Sequence, residues 1–400
     1  MAARASVGLT LLSIALTLGC RSTVPKAAPP PPPPQATWGV LALGVGGLVF
    51  VPENSPASPV PVEAYPADRG APEVAISPDG KRLALVAPDH SLRVCSLVSG
   101  EANTIAPAYA EDTGQRGAMA WSPDGEALAL VEEGKLFVWD RAGGRRELVT
   151  TPRVTDVAWS PDGQVIAYGR RGEDEKDLGL WIVKASGGEP RRIAPPSGDI
   201  FAASWPVFSP DGQWIAFWHA WEGGGLCFVR PDGSGYRKGL DFGGGPTVWR
   251  ADSSAVVYLA LKDEMTVRGV FQCAPSGKPA ALVTGDVDQF DMLPSGDLIW
   301  LQSGEKQGEM TTKTTVRLQP TVGGETEKPW EMMVAGGYGR CQFRPDGKQV
   351  AVWTGRDDGR GDVYVGTPGQ ELSVLATDIG EFIGWAQGLY AVASSSGGQR

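Results

Sequence analysis

One tetrapeptide recurs along this chain. Ser77-Pro78-Asp79-Gly80, Ser122-Pro123-Asp124-Gly125, Ser160-Pro161-Asp162-Gly163 and Ser209-Pro210-Asp211-Gly212 are four copies of Ser-Pro-Asp-Gly, and Arg344-Pro345-Asp346-Gly347 is a fifth with one change. Proline presets the backbone for the second position of a type I turn, aspartate tolerates the next position and bonds its own backbone, and glycine supplies the left-handed residue that closes the turn as a bulge. Apolar runs flank the copies, as in Ala118-Met119-Ala120-Trp121 and Leu128-Ala129-Leu130-Val131. Each copy therefore reads as the tight turn of a β-hairpin. On this reading Asp79, Gly80, Asp124, Gly125, Asp162, Gly163, Asp211, Gly212, Asp346 and Gly347 shape turns and have no catalytic or metal-binding role.

The spacing fixes the fold class. From Ser77 to Ser122 is 45 residues, from there to Ser160 is 38, and on to Ser209 is 49. Degenerate copies continue the series at Trp249-Arg250-Ala251-Asp252-Ser253, Leu293-Pro294-Ser295-Gly296-Asp297 and Trp385-Ala386-Gln387-Gly388. A period of roughly 40 to 50 residues fits a four-stranded propeller blade. The third strands read as Leu136-Phe137-Val138-Trp139, Leu180-Trp181-Ile182-Val183, Leu226-Cys227-Phe228-Val229 and Val363-Tyr364-Val365. A single such sheet cannot bury both faces, so the sheets stack around an axis. The expected fold is an all-β propeller of four-stranded blades.

Seven units begin near Glu73, Gly117, Thr155, Ala203, Pro246, Gln289 and Gly339. An eighth begins near Glu381 and stops after about two strands, at 390–393. The stretch 38–51 reads as a buried hairpin, too short and too glycine-rich to span a bilayer. Pairing these N- and C-terminal strands into one blade removes the free sheet edge and gives eight blades. Seven is the alternative, if the N-terminal strands are accessory.

The pattern aromatic-Ser-Pro-Asp-Gly-x-x-apolar-Ala resembles the TolB-type, WD-like propeller repeat over about residues 73–393. The resemblance implies the propeller. TolB's extra N-terminal α/β domain has no counterpart here, so the resemblance does not carry TolB's partners over.

The N-terminal segment reads as targeting sequence. Arg4 precedes an apolar core at 7–18, and Thr17-Leu18-Gly19-Cys20 resembles a bacterial lipoprotein box. The expected organisation is a signal peptide at 1–20 ending at a lipidated Cys20, a Pro-rich disordered spacer at 21–37, and the propeller at 38–396. An ordinary secretory signal is the alternative. Pro29 to Pro34 is an unbroken run of six prolines, which as polyproline II spans about 19 Å. By resemblance to known lipoproteins, Arg21 after the cysteine favours the outer membrane. The expected location is the cell envelope, facing the periplasm or the cell surface.

The formal net charge is −10, which argues against nucleic acid or anionic lipid surfaces as direct partners. Cys95, Cys227, Cys273 and Cys341 fall in strands of different blades, too far apart for disulfides, and read as buried free thiols. There is no Gly-x-Ser-x-Gly elbow, P-loop or dinucleotide fingerprint. The two histidines, His90 and His219, have no neighbouring nucleophile pattern. No cofactor or metal is expected.

What remains is a monomeric, non-enzymatic scaffold for an envelope protein or peptidoglycan-associated partner. Function concentrates on variable loops held by a rigid frame, and the variable ones are 170–177, 221–225, 303–313 and 355–361, with 194–203 between blades. They supply the candidate contacts Arg171, Asp174, Trp221, Glu222, Arg356 and Asp358. The competing expectation is an enzyme or a saccharide- or peptide-binding protein using the axial channel, with Glu73, Asp156, Asp288, Arg340 and Glu381 at its mouth.

Overall fold

In a computed structural model of the protein, the described residues are 36–389, without 45, 55–59, 65–72, 108, 110–118, 143, 151–152, 172–177, 195–202, 220–224, 242–246, 262–267, 278, 285–286, 294, 304–312, 320–329, 336–337 and 357. They form eight four-stranded antiparallel sheets, the eight blades of a propeller. Blades II to VIII follow the chain at 74–106, 119–149, 154–194, 203–241, 247–284, 289–335 and 338–379. Blade I is the closure. Its strand order runs Val60–Ala64, Gly47–Pro52, Ala36–Gly44 and then Glu381–Leu389.

The expected hairpin at 38–51 is present, with Gly39 opposite Pro52 and Gly44 opposite Gly47. The division of the closure differs from expectation. Three strands come from the N-terminal side and one from the C-terminal side, because the edge at Gly47–Pro52 is covered by Val60–Ala64 and leaves only the innermost place open. The expected last strand at 390–393 lies outside the described residues.

Every intact Ser-Pro-Asp-Gly copy folds the same way. Ser77 Oγ donates to Asp79 Oδ1 at 2.6 Å and accepts from the Arg82 N–H at 2.9 Å, while the Gly80 N–H closes on the Ser77 carbonyl at 2.8 Å. Gly80, Gly125, Gly163, Gly212 and Gly347 have φ between 68° and 72°, the left-handed conformation that glycine adopts without steric cost. Hydrogen bonds from the Ser122 and Ser160 hydroxyls hold the Asp124 and Asp162 carboxyls below the usual range. In each turn the aspartate carboxyl accepts from the side chain two residues before it.

The core lies between blades. Eight hydrophobic clusters fill the eight interfaces, for example Ala129, Val131, Ile166 and Tyr168 between III and IV, and Val40, Ala42, Trp353 and Val363 between VIII and I. A second set of bonds ties the innermost strands together. The indole N–H groups of Trp121, Trp159, Trp249 and Trp385 donate across blade boundaries to the carbonyls of Ala75, Ala120, Val207 and Gln342, at 2.9 to 3.0 Å. At the VII–VIII boundary Phe343 stands where the tryptophan would be, and its backbone N–H instead donates to Asp291 Oδ2 at 2.7 Å. Cys95, Cys227, Cys273 and Cys341 are buried free thiols, as expected.

Candidate functional site at the mouth of the axial channel

Each innermost strand starts on the face that carries the second-to-third-strand loops and ends at the tight turn on the opposite face. Side chains at the start of these strands therefore surround one end of the axial channel. Counting back three residues from the residue before the turn gives Glu73, Asp156, Trp205, Gln289 and Arg340, before Ile76, Trp159, Phe208, Met292 and Phe343. Glu381 joins them one residue further back, because a bulge interrupts the pairing after Leu41. Four of the five expected channel residues thus share one ring, and Asp288 stands next to Gln289 in it.

The ring has two sides. In blades VII, VIII and I, Asp288, Gln289, Arg340, Trp353 and Glu381 line a cavity of about 560 Å³. Arg340 Nη2 meets Glu381 Oε1 at 2.9 Å inside it. In blades IV and V, bulges open both innermost strands, at Thr155–Asp156 and at Trp205–Pro206. Asp156 is 4% exposed. Burial pushes its carboxyl up to about 6, against hydrogen bonds from the Trp205 backbone and Thr155 and the nearby Arg171. Trp205 has φ 50°, an uncommon conformation for a bulky residue, and its side chain lies open to solvent.

The loop candidates divide. Arg171 is exposed beside Asp156, and its backbone N–H donates to the Arg153 carbonyl at 3.0 Å. Arg356 is held in a local network with Asp362 at 3.2 Å, Asp378 at 3.3 Å and Asp358 at 3.8 Å. Blades IV and VIII lie opposite each other, so Arg171 and Arg356 do not come together. Trp221, Glu222 and Asp174 lie outside the described residues. Sequence reasoning missed Trp205 and Gln289, although counting back from the repeated turn would have found both. Among the described residues no three His, Cys, Asp or Glu side chains converge to hold a metal ion.

The short-turn face also has a concavity, about 530 Å³ between blades II and III, lined by Asp79, Arg82, Glu101, Trp139 and Arg141 among others. Its charges alternate, and Arg82 is paired with Glu126 at 2.6 Å.

The fold defines the class of protein, an eight-bladed β-propeller. No protein-family model matches the chain, and no curated protein matches it by sequence. Solved structures do match. Dihydro-heme d1 dehydrogenase NirN in complex with DHE aligns with a TM-score of 0.56 and 16% identity, over 87% of this chain and 74% of that one. Oligogalacturonate lyase from Vibrio parahaemolyticus aligns at 0.54 and 13%, over 83% and 97%. A prolyl endopeptidase aligns at 0.53 and 16%, over 76% of this chain, which spans only 50% of that enzyme's length. TolB proteins are also among the matches. These likenesses establish the fold alone.

Proposed function

We propose that this protein is a non-enzymatic binding scaffold of the cell envelope. A lipidated Cys20 anchors it, the Pro-rich segment spaces it from the membrane, and the long-loop face of the propeller meets an envelope protein or peptidoglycan-associated partner. The observation that carries this reading is Trp205. A solvent-exposed tryptophan on a rigid strand at a channel mouth has the character of an interface anchor.

Cross-linked affinity purification from the native envelope tests it, comparing wild type with Trp205→Ala. A stoichiometric partner that cross-links to the long-loop face and is lost in the variant supports the scaffold. Partner capture unchanged by the substitution, or no partner at all, overturns it. Metabolic labelling with a palmitate analogue tests the anchor, with Cys20→Ser as the unlabelled control.

The cavity of about 560 Å³ supports a second reading, a small-ligand seat in the channel. The raised pKa of Asp156 would suit a general acid. Its burial and the hydrogen bonds it already accepts from Trp205 and Thr155 favour a positioning role instead.

A further inference from the structure

The two sides of the channel mouth share a chemistry that points to one kind of guest. Trp205 is 49% exposed and is the one aromatic among the exposed large hydrophobic residues described. Two to four blades further round the ring, Asp288 and Glu381 line the polar cavity with Gln289 and Arg340. Among the described residues of the mouth four carboxylates, Glu73, Asp156, Asp288 and Glu381, stand against three guanidinium groups. Arg340 is engaged by Glu381 at 2.9 Å, Arg171 lies beside Asp156, and Arg153 accepts the Arg171 N–H on its carbonyl.

An excess of one sign at the opening of a low-dielectric channel focuses the field and concentrates counter-charge there. An exposed indole adds a face to which ammonium and guanidinium groups are attracted. We propose that the mouth seats lysine or arginine side chains carried on an extended segment of the partner protein. One cation enters the cavity at Asp288 and Glu381, and another rests on Trp205. This rests on the scaffold reading and specifies the partner's chemistry.

The guest is an extended strand because the two seats are separated round the mouth by two to four blades. A chain rising about 3.3 Å per residue crosses such an opening within a few residues. Asp156 is the positioning residue. Its carboxylate accepts the Trp205 backbone N–H, which holds the bulged strand so that the indole faces outward. An anionic guest would meet four carboxylates, and a neutral one would draw no benefit from them.

The test uses the full protein and three synthetic decapeptides, alternating glycine with lysine, glutamine or glutamate, measured by isothermal titration calorimetry at low and moderate salt. The lysine peptide is expected to bind at least about tenfold more tightly than the glutamine peptide, a difference of about 1.4 kcal/mol. The glutamate peptide is expected not to bind, and added salt should weaken the lysine complex. Trp205→Ala and Asp288→Asn should each weaken it severalfold. Glu147→Gln, on an outer strand of blade III, should leave it unchanged and so control for the acidic surface at large.

Equal affinity for the lysine and glutamine peptides, no binding of any peptide, or lysine binding that ignores both mouth variants overturns the cationic seat. The scaffold reading falls on a different result. If Trp205→Ala abolishes partner capture from the envelope while the peptides fail, the scaffold stands and its partner is not cationic.

Discussion

Arg344 and Glu53 are 291 positions apart in the chain, and Arg344 Nη1 meets Glu53 Oε2 at 2.6 Å. Arg344 is the residue that replaces serine in the fifth turn. Its Nε donates to Asp346 Oδ1 at 2.8 Å, the bond a serine would otherwise supply, and its guanidinium lies over the rings of both Trp38 and Trp385. One side chain thus shapes a turn of blade VIII and grips both chain segments that build blade I.

Arg344→Ser restores the repeated motif locally and removes the grip. Arg344 is 8% exposed, and breaking a largely buried ion pair leaves a charge uncompensated. The substitution should cost about 2 kcal/mol or more in urea unfolding. Glu53→Gln should show a coupling of about 1 kcal/mol or more with it in a double-mutant cycle. Additive effects would mean that the pair does not fasten the ring.

The tryptophan bonds between blades should act as single, partly buried hydrogen bonds. Trp159→Phe keeps most of the packing and leaves the Ala120 carbonyl without its 2.9 Å donor. The expected loss is about 1 to 2 kcal/mol. A loss near zero would show that the ring shape alone matters.

Asp291 makes the VII–VIII boundary pH-dependent. Burial pushes its carboxyl up to about 6, against hydrogen bonds from the Phe343 and Met292 backbones. The folded state therefore binds its proton more tightly than the unfolded chain does. This contribution to stability is full below the unfolded value near 4 and declines as pH rises through about 6. Asp291→Asn keeps an oxygen for the Phe343 N–H and has no proton to lose. Relative to the variant, wild type should lose on the order of 2 kcal/mol between pH 4 and pH 8, read from melting temperatures across that range. A constant difference between the two proteins would show that the group does not titrate there.

Gly169 occupies a place where a side chain has no room. A Cβ there would lie 1.9 Å from the Ala203 carbonyl oxygen and 2.6 Å from Thr155 Oγ1. The same place in blades III, V and VIII is taken by Val131, Trp218 and Trp353. Gly169→Ala should destabilise by about 2 kcal/mol or more by forcing blades IV and V apart. It should also disturb the contact between Asp156 and Trp205, so an effect on peptide binding larger than that of Asp288→Asn is expected.

The hairpins were legible because proline, aspartate and glycine each impose a backbone conformation that no partner is needed to explain. The closure was legible because two incomplete units stood at opposite ends of one chain. The strand at Val60–Ala64 was not, since it lies in a proline-containing stretch without the repeated turn. Asp156 could be placed near the channel, but its grip on the Trp205 backbone depends on a neighbouring blade 49 positions away. The exposure of Trp205 was not legible, because it depends on a left-handed backbone in a bulged strand that no sequence pattern marks. Nothing in the sequence singles out Asp291, because its partner, a backbone N–H, carries no sequence signature.

The placement of Glu381–Leu389 as the innermost strand of blade I has a consequence for how the molecule comes into being. The three strands within 36–64 emerge first and then wait for a partner that follows more than three hundred residues later. The other blades can form as they are synthesised, but the ring stays open until residue 389 is available. An open ring exposes the face of blade I and leaves Arg344 without its full set of partners. Completion of the circle therefore reports that both ends of the described chain, 36–64 and 381–389, have been made and have met.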